Sequence, residues 1–431
     1  MTAERTQAAG NLPEPYFESE DKRFRLYQGD CLSLLPCMPD EAFDVIFADP
    51  PYFLSNDGIT CHAGKMVSVN KGKWDKSQGP KIDHEFCLQW LGQCRRLLKP
   101  TGTIWVSGTM HIIHSVGYAM QCLGYKILND ITWVKPNPPP NLSCRYFTHA
   151  TETLLWARPS QKSRHKFNYQ LMKRLNGGKQ MKSVWELPAP AREEKVFGKH
   201  PTQKSLALLE RIIAASSDEN DLVLDPFSGS ATTGIAAARA RRVFTGIDVD
   251  EGFLDLATRR FVGVPQADSP ERILELVMAH GESAQTVERL AARLRVTPRQ
   301  VHYYRQAAAL LGLLGRQAGE WVLTQTGQAM CRSPPPDRHP ALAQAILENQ
   351  LVRVAVSCIR RLPAHGDPRQ AVSHLLARCT ALSDSTCTRR ARTLLSWIDW
   401  ARQSSPAAGN SRHAQTPVRA GASSIRRAKT T

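Results

Sequence analysis

Phe43-Asp44-Val45-Ile46-Phe47-Ala48-Asp49-Pro50-Pro51-Tyr52 joins a strand to an abrupt stop. Its first six residues are apolar apart from Asp44, a length and composition that suit a strand buried on both faces. Asp49-Pro50-Pro51 then ends it, because proline fixes φ and supplies no N–H for a sheet ladder. Similar apolar runs follow at Thr103-Ile104-Trp105-Val106-Ser107, Asp221-Leu222-Val223-Leu224 and Val243-Phe244-Thr245-Gly246-Ile247. Helical patterns at His84 to Leu98, Ser205 to Ser216 and Thr232 to Ala240 separate them. This rhythm predicts an α/β fold, a mostly parallel sheet with helices on both faces, over residues 24–265.

In an open α/β sheet, ligands bind beyond the carboxyl ends of the strands. Asp49 lies at such an end, and its loop suits one kind of chemistry. An exocyclic amino group on a nucleobase is a poor nucleophile, because its lone pair is delocalised into the ring. A carboxylate on one N–H and a fixed proline carbonyl on the other push the nitrogen towards a tetrahedral, nucleophilic state. Asp49, Pro50 and Pro51 supply those groups, and Tyr52 offers a flat face for a base swung out of a duplex. Read alone, the same four residues also make an ordinary tight turn.

A second loop matches the first. Asp225-Pro226-Phe227-Ser228-Gly229-Ser230-Ala231-Thr232-Thr233-Gly234 runs from a strand into a helix. Its glycines allow close backbone approach, and the helix N-terminus offers free N–H groups. Asp248 ends the next strand, where an acid is placed to hold ribose hydroxyls. The loop lacks the lysine of a phosphate-binding G-x-x-x-x-G-K-[ST] sequence, which excludes an ATPase of that type. Asp30, after Arg25-Leu26-Tyr27, is placed either to hold a ligand amino group or to cap a helix over Leu32 to Leu35. His200, Thr202 and Lys204 either close the same pocket or serve as a helix cap and surface charge. No metal site is expected.

The chain has 431 residues, 56 Lys and Arg against 39 Asp and Glu, and a formal net charge of +17. Such a basic chain suits a polyanion, because each cation set on a phosphate releases counterions. The 11 cysteines form no C-x-x-C pair, which argues against a disulfide framework or a thiolate zinc site. No apolar run approaches the roughly 20 residues that span a bilayer, and residues 1–23 read as a polar arm without a signal-peptide core. A cytoplasmic protein with no membrane partner is expected.

Residues 160–199 are basic and weakly periodic. They read as an insertion on the ligand edge of the sheet, with Arg164, Lys166, Lys173 and Arg174 towards DNA. After Val262 to Pro270 the pattern changes. Helical patterns at Glu271 to His280, Gln285 to Leu294 and Thr297 to Leu311, then Gly319 to Thr324 as a hairpin strand, predict a winged helix-turn-helix over 270–330. Its third helix would present Arg299, Tyr303 and Arg305 to DNA. Ser333 to Pro340 reads as a linker, 341–402 as a helical module, and 403–431 as a disordered basic tail.

The ordered set Asp30, Asp49 to Tyr52, His200 to Lys204, Asp225 to Gly234 and Asp248 resembles the beta-class DNA amino-methyltransferases, the N4/N6 family of restriction–modification systems. The resemblance covers about Phe24 to Phe261. Phe53 to Gly58, Val69 to Lys76, Trp133 to Pro138 and Asn141 to Phe147 resemble a subgroup, the second GATC adenine methyltransferase of Dpn-type systems. The resemblance implies a Rossmann-like S-adenosylmethionine-dependent methyltransferase fold with a C-terminal, mostly helical, winged-helix-like extension. It implies S-adenosyl-L-methionine as cofactor and adenine N6 as target, with N4 of cytosine as the alternative. A further alternative is a non-catalytic DNA-binding regulator with a vestigial methyltransferase body, against which the intact Asp49, Tyr52, Asp225 and Asp248 argue. Asp30, Asp225, Phe227, Gly229, Ser230, Thr232, Thr233, Asp248, His200, Thr202 and Lys204 are the cofactor residues so implied. Lys71, Lys73, Asn141 and Arg145 join the DNA-facing set. Double-stranded DNA is the expected partner, with single-stranded DNA, a homodimer and a cognate restriction endonuclease as further expectations. Two departures stand out: Ala231 replaces the second loop glycine, and Ser205 replaces the proline after Lys204. The Ala341 to Arg402 region, through Leu382 to Thr386, Arg389-Arg390 and Ser396 to Trp400, weakly resembles a helical module found beside winged helices in defence-associated proteins.

Overall fold

The computed structural model describes residues 11–53, 59–62, 65–68, 75–138, 140–141, 144–282, 286–317 and 319–404. Lys71 and Lys73 lie outside them, as does the tail beyond Ser404.

The strands are β1 (Phe17–Glu18), β2 (Phe24–Gln28), β3 (Phe43–Ala48), β4 (Ile59–His62), β5 (Lys65–Ser68), β6 (Leu98–Gly108), β7 (Lys126–Val134), β8 (Thr151–Arg158), β9 (Val184–Glu186), β10 (Leu222–Asp225) and β11 (Val243–Asp248). Between them come α1 (Cys31–Leu34), α2 (Pro80–Leu97), α3 (Ile113–Cys122), α4 (Tyr169–Leu175), α5 (Leu206–Ser216), α6 (Thr232–Arg239) and α7 (Glu251–Val262). The main sheet has the order β1-β2-β11-β10-β3-β6-β8-β7-β9, and β4 pairs with β5 apart from it. Neighbours from β2 to β6 are parallel, as expected, whereas β1 and β8 run antiparallel.

Both faces of the sheet are covered, which is why its strands read as continuous apolar runs. Along β3 the residues alternate. Ile46 and Ala48 join Trp90, Leu91, Val116 and Met120 of α2 and α3 on one face. Val45 and Phe47 join Leu209, Ile213, Ile235 and Ala236 of α5 and α6 on the other. Trp105 of β6 stacks on Trp156 of β8 with ring centroids 4.8 Å apart, which adds to the area buried.

Residues 160–199 differ from the expected insertion. They contribute α4 and β9, and β9 extends the main sheet beside β7. Because β8 is antiparallel, the chain leaves it at the amino ends of the parallel strands. The Lys166 N–H donates to Thr101 O there, and Lys166 Nζ pairs with Asp218 and Asp221 just ahead of β10. Arg164 and Lys166 therefore sit across the sheet from the ligand edge, and their placement there is corrected.

The C-terminal elements are α8 (Pro270–Glu282), α9 (Val287–Leu294), α10 (Pro298–Leu310), β12 (Leu314–Gln317), β13 (Glu320–Leu323), α11 (Gln325–Arg332), α12 (Pro335–Glu348), α13 (Gln350–Arg360), α14 (Pro368–Cys379) and α15 (Asp384–Ser404). Thr297 starts α10 with a complete capping box, which satisfies two N-terminal donors. The Pro-rich stretch read as a linker is α12 instead. Its first prolines occupy the opening turn, where missing N–H groups cost nothing, and Pro340 follows inside the helix.

The chain divides into two compact units. One comprises Met1–Pro265, Gly315–Val322 and Arg353–Arg392; the other comprises Gln266–Leu314, Leu323–Val352 and Thr393–Thr431. In the first, Arg239 of α6 donates to Thr380 O and Ala377 O at the end of α14, at 2.9 and 2.6 Å. In the second, the buried Trp397 donates to Ala267 O at 2.7 Å. Among the described residues, no single helix is long and apolar enough to cross a membrane.

Candidate active site

Four acids leave the carboxyl ends of four neighbouring strands: Asp30 after β2, Asp248 at β11, Asp225 at β10 and Asp49 after β3. The chain runs from β3 outward to β6 and from β10 outward to β11, so the connecting loops part between β3 and β10. A crevice at such a switch point is where this architecture takes ligands. A cavity of about 250 Å³ opens there, lined by Gly29, Asp30, Asp49, Pro51, His200, Thr202, Phe227, Gly229 and Asp248 among others.

One end of the cavity is made largely by main chain. Asp248 accepts from the N–H of Gly229 at 2.8 Å and of Asp250 at 2.9 Å. Burial still pushes its carboxyl up, to about 6. Gly229 has φ of +50°, and a Cβ there would come within 2.9 Å of His200 Nε2. Asp30 accepts from Leu32 N at 2.9 Å and caps α1 while also lining the cavity. The helix-cap reading of Asp30 therefore holds, and its place on the cavity wall leaves it within reach of a ligand.

Other residues of the Asp225 to Gly234 loop face away from the cavity. Asp225 lies beneath it, accepting from Thr233 Oγ1 at 2.6 Å and Phe227 N at 3.1 Å. Burial pushes its carboxyl up to about 7. Ser230 and Thr232 turn towards Arg260, whose Nη1 donates to Ser230 O, Ser230 Oγ and Thr232 Oγ1 at 2.6 to 2.9 Å. These four residues, expected at the cofactor, instead build the loop's underside. Arg260 is 1 % exposed, and its place in α7 gave no sign of this role. Ala231, where a glycine was expected, adopts φ of 52° in the left-handed region, which costs a residue with a Cβ roughly 1–2 kcal/mol.

The other end is made by side chains. Tyr52 is buried, and its hydroxyl donates to Asp49 Oδ1 at 2.7 Å. The open stacking face expected of Tyr52 is thus corrected to an interior one. Its ring belongs to the hydrophobic cluster that includes Ala48, Ile104 and Val106, and buried Asp75 braces the loop by accepting from the N–H groups of Tyr52 and Phe53 at 2.9 and 2.8 Å. Lys204 is not surface charge. Its Nζ donates to Asp49 Oδ2 at 2.5 Å and lies 5.2 Å from the centroid of the Tyr52 ring. Thr202 does not cap α5, whose first flanking residue is Ser205.

Glu152, at the start of β8, was not anticipated. Its Oε2 lies 3.6 Å from Lys204 Nζ, 3.4 Å from Tyr52 Oη and 3.5 Å from Ser107 Oγ. Its Oε1 accepts from Lys135 Nζ. Burial raises the Asp49 carboxyl, which Lys204 opposes and Glu152 reinforces. Burial also lowers Lys204, but the two carboxylates outweigh it and hold the ammonium charged.

The DNA-facing candidates are dispersed. Asn141 and exposed Arg145 lie in the segment between β7 and β8, with Asn141 Nδ2 donating to Tyr146 O. Lys173 and Arg174 end α4. On α10, Arg299 Nε donates to Tyr303 Oη at 2.9 Å, one helical turn apart on an exposed face. Arg305 is 7 % exposed. Two residues beyond Tyr303, it points to another side of the helix, so its exposed placement is corrected.

This sheet, with its acid-ended strands, glycine loop and amine-facing carboxylate, defines an S-adenosyl-L-methionine-dependent methyltransferase. Residues 43–259, half of the chain, match the family model for DNA methylase of the N6/N4 type, and the chain belongs to that family. It is 54 % identical over 248 residues to the Type II methyltransferase M2.MboI of Moraxella bovis, covering 58 % of this chain and 91 % of that protein. The Type II methyltransferases M2.LlaDCHI of Lactococcus lactis subsp. cremoris and M2.DpnII of Streptococcus pneumoniae are 54 % and 52 % identical over 250 residues, each covering 58 % of this chain and 92 % of the relative. The solved M1.HpyAVI–SAM complex is 27 % identical with a TM-score of 0.42, covering 55 % of this chain and 98 % of that one. Residues 272–405 match a domain of unknown function, DUF7226.

Proposed function

We propose that this DNA methyltransferase modifies N6 of adenine, within GATC, as one methyltransferase of a type II restriction–modification system. The observation that carries the reading is a single cavity with Asp30 and Asp248 at one end and Asp49 at the other. The donor fits the first end. Asp248 would accept from its ribose hydroxyls, Asp30 from its adenine amino group, and the Phe227 ring would pack against the base. Gly229 leaves room for the backbone to approach, and His200 and Thr202 would flank it. When bound, S-adenosyl-L-methionine supplies an electrophilic methyl on a sulfonium.

At the other end, Asp49 accepts one N–H of a flipped target base and the Pro50 carbonyl accepts the other. The nitrogen lone pair is thereby freed and directed at the methyl group. The network under Asp49 holds that carboxylate in place before the substrate arrives. Aspartate at position 49 favours adenine over cytosine N4, in line with the family resemblance of Asp49 to Tyr52.

Double-stranded DNA docks on Arg145, Lys173 and Arg174 and, through residues 270–330, on Arg299 and Tyr303. Single-stranded DNA is a second substrate, self-association and a cognate endonuclease are further partners, and the site of action is the cytoplasm. Sequencing of DNA from an expressing host with modified-base detection reports base and site together; methylcytosine at the mapped site would overturn the adenine assignment. Asp49→Ala should lower methyl transfer by roughly 10³-fold or more, as loss of a preorganised catalytic contact does, while donor binding persists. Retained turnover in that variant removes Asp49 from the mechanism.

A further inference from the structure

The catalytic carboxylate has no oxygen left without a partner. Asp49 Oδ1 holds the Tyr52 hydroxyl at 2.7 Å and Oδ2 holds Lys204 Nζ at 2.5 Å. A target amine that donates to Asp49 must share an oxygen with one of these donors or displace it, and an oxygen already polarised by a buried ammonium is the weaker acceptor. The ammonium is the costlier to displace, because a buried cation without its counter-charge pays a large desolvation penalty. A second acceptor is already in place: Glu152 Oε2, 3.6 Å from the same Nζ. Lys204 itself is 7 % exposed, so water cannot readily take over.

We infer that Glu152 is a positioning residue that receives Lys204 when the target amine engages Asp49, so that the catalytic carboxylate is released without stranding a buried charge. A movement of well under one side-chain length converts the 3.6 Å contact into a charge-assisted hydrogen bond. The surroundings hold Glu152 still while Lys204 moves. Its Oε1 is anchored by Lys135 just beyond β7, and its Oε2 lies 3.5 Å from Ser107 Oγ on β6. Tyr52 Oη reaches both acids, at 2.7 Å to Asp49 and 3.4 Å to Glu152, and so maintains their spacing. Among the groups that act on the pair are Lys204, Lys135 and the carboxylate of Asp225, with Tyr52 and Ser107 as neutral partners.

This inference rests on Asp49 as the acceptor of the target amine, and the two are separable. The test uses the full chain with duplex DNA containing its mapped site. Glu152→Gln preserves shape but cannot take the ammonium as a charged partner. Its turnover should fall roughly 10- to 100-fold, the worth of one charge-assisted hydrogen bond, with donor affinity and melting temperature near wild type. Glu152→Asp, which keeps the charge, should recover part of the loss. The acid limb of the kcat–pH profile should move to lower pH in Glu152→Gln, because a negative neighbour that raises Asp49 is gone. In a Lys204→Met background the Glu152→Gln change should have little further effect, since the cation it receives is absent.

Wild-type turnover in Glu152→Gln, alongside an inactive Asp49→Ala, overturns the inference and leaves the catalytic reading intact. Equal losses from Glu152→Gln with and without Lys204 overturn it too. If Glu152→Gln does not melt cooperatively, the comparison of Glu152→Asp in the two Lys204 backgrounds decides in the same way.

Discussion

The two ends of the cleft, which we propose hold the methyl donor and the target base, are built from different materials. The donor end relies on main chain: N–H groups of Gly229, Asp250 and Leu32 hold the Asp248 and Asp30 carboxylates in place. The target end relies on side chains from separate elements: Asp49 and Tyr52 after β3, Ser107 on β6, Glu152 on β8 and Lys204 ahead of α5. Where main chain holds the binding groups, a change in one side chain removes that group's own contact and leaves the others in place. A charge network passes each change to its neighbours. The donor end should therefore respond to substitution locally and the target end collectively.

Asp49→Ala gives the largest separation: donor affinity should stay within about twofold while turnover collapses. A large loss of donor affinity by calorimetric titration would show that the ends are not independent. Next comes Asp248→Ala, which should weaken the donor roughly 10- to 100-fold, the cost of one or two hydrogen bonds to a charged group. Turnover at saturating donor should change far less, and an equal fall in kcat would count against the division. Gly229→Ala should follow at roughly tenfold in donor affinity. Its Cβ meets the His200 ring, a side chain with some freedom to yield.

The smallest effect concerns pH. Asp225 and Asp248 have carboxyls raised by burial to about 7 and about 6, against roughly 3.9 in an unfolded chain. The native state thus binds more protons across that range. The contribution of these groups is full in acid and is lost as pH rises through the folded values. The fall in melting temperature between about pH 5 and pH 8 should be shallower in Asp225→Asn than in wild type. An identical slope would place the pH dependence elsewhere.

The donor end was the more legible in the sequence, for the same reason. A glycine loop, a helix start and an acid after the next strand are local patterns, and Asp225 to Gly234 with Asp248 showed them. What the pattern could not give was direction: Ser230, Thr232 and Thr233 belong to the right loop but face Arg260 and Asp225. At the target end, Asp49 was legible because two prolines mark its turn. Glu152 was not. It lies 100 residues from Tyr52, in a strand that opens with the polar Thr151-Glu152-Thr153, and only the reversed direction of β8 brings it to the site. That reversal also misled the reading of Arg164 and Lys166, since a basic loop after a parallel strand would have lain on the ligand edge. The parallel strands β3, β10 and β11 carried the fold in their composition. The strands β7, β8 and β9 did not, because the first and last alternate in burial and one runs backwards.

The order β2-β11-β10-β3 has one more consequence. Strands from the two ends of residues 24–262 lie side by side, and the rings of Phe24 and Phe261 stack with centroids 4.1 Å apart. The sheet is therefore nearly cyclic in its connectivity. A circular permutation that links the end of α7 to the start of β2, and cuts the chain between β9 and α5, would preserve every pairing of the main sheet except that of β1 with β2. The donor half would then be synthesised before the target half, and the same cleft would form between them. Which half comes first in the gene is a property of the linkage, not of the chemistry that the folded sheet assembles.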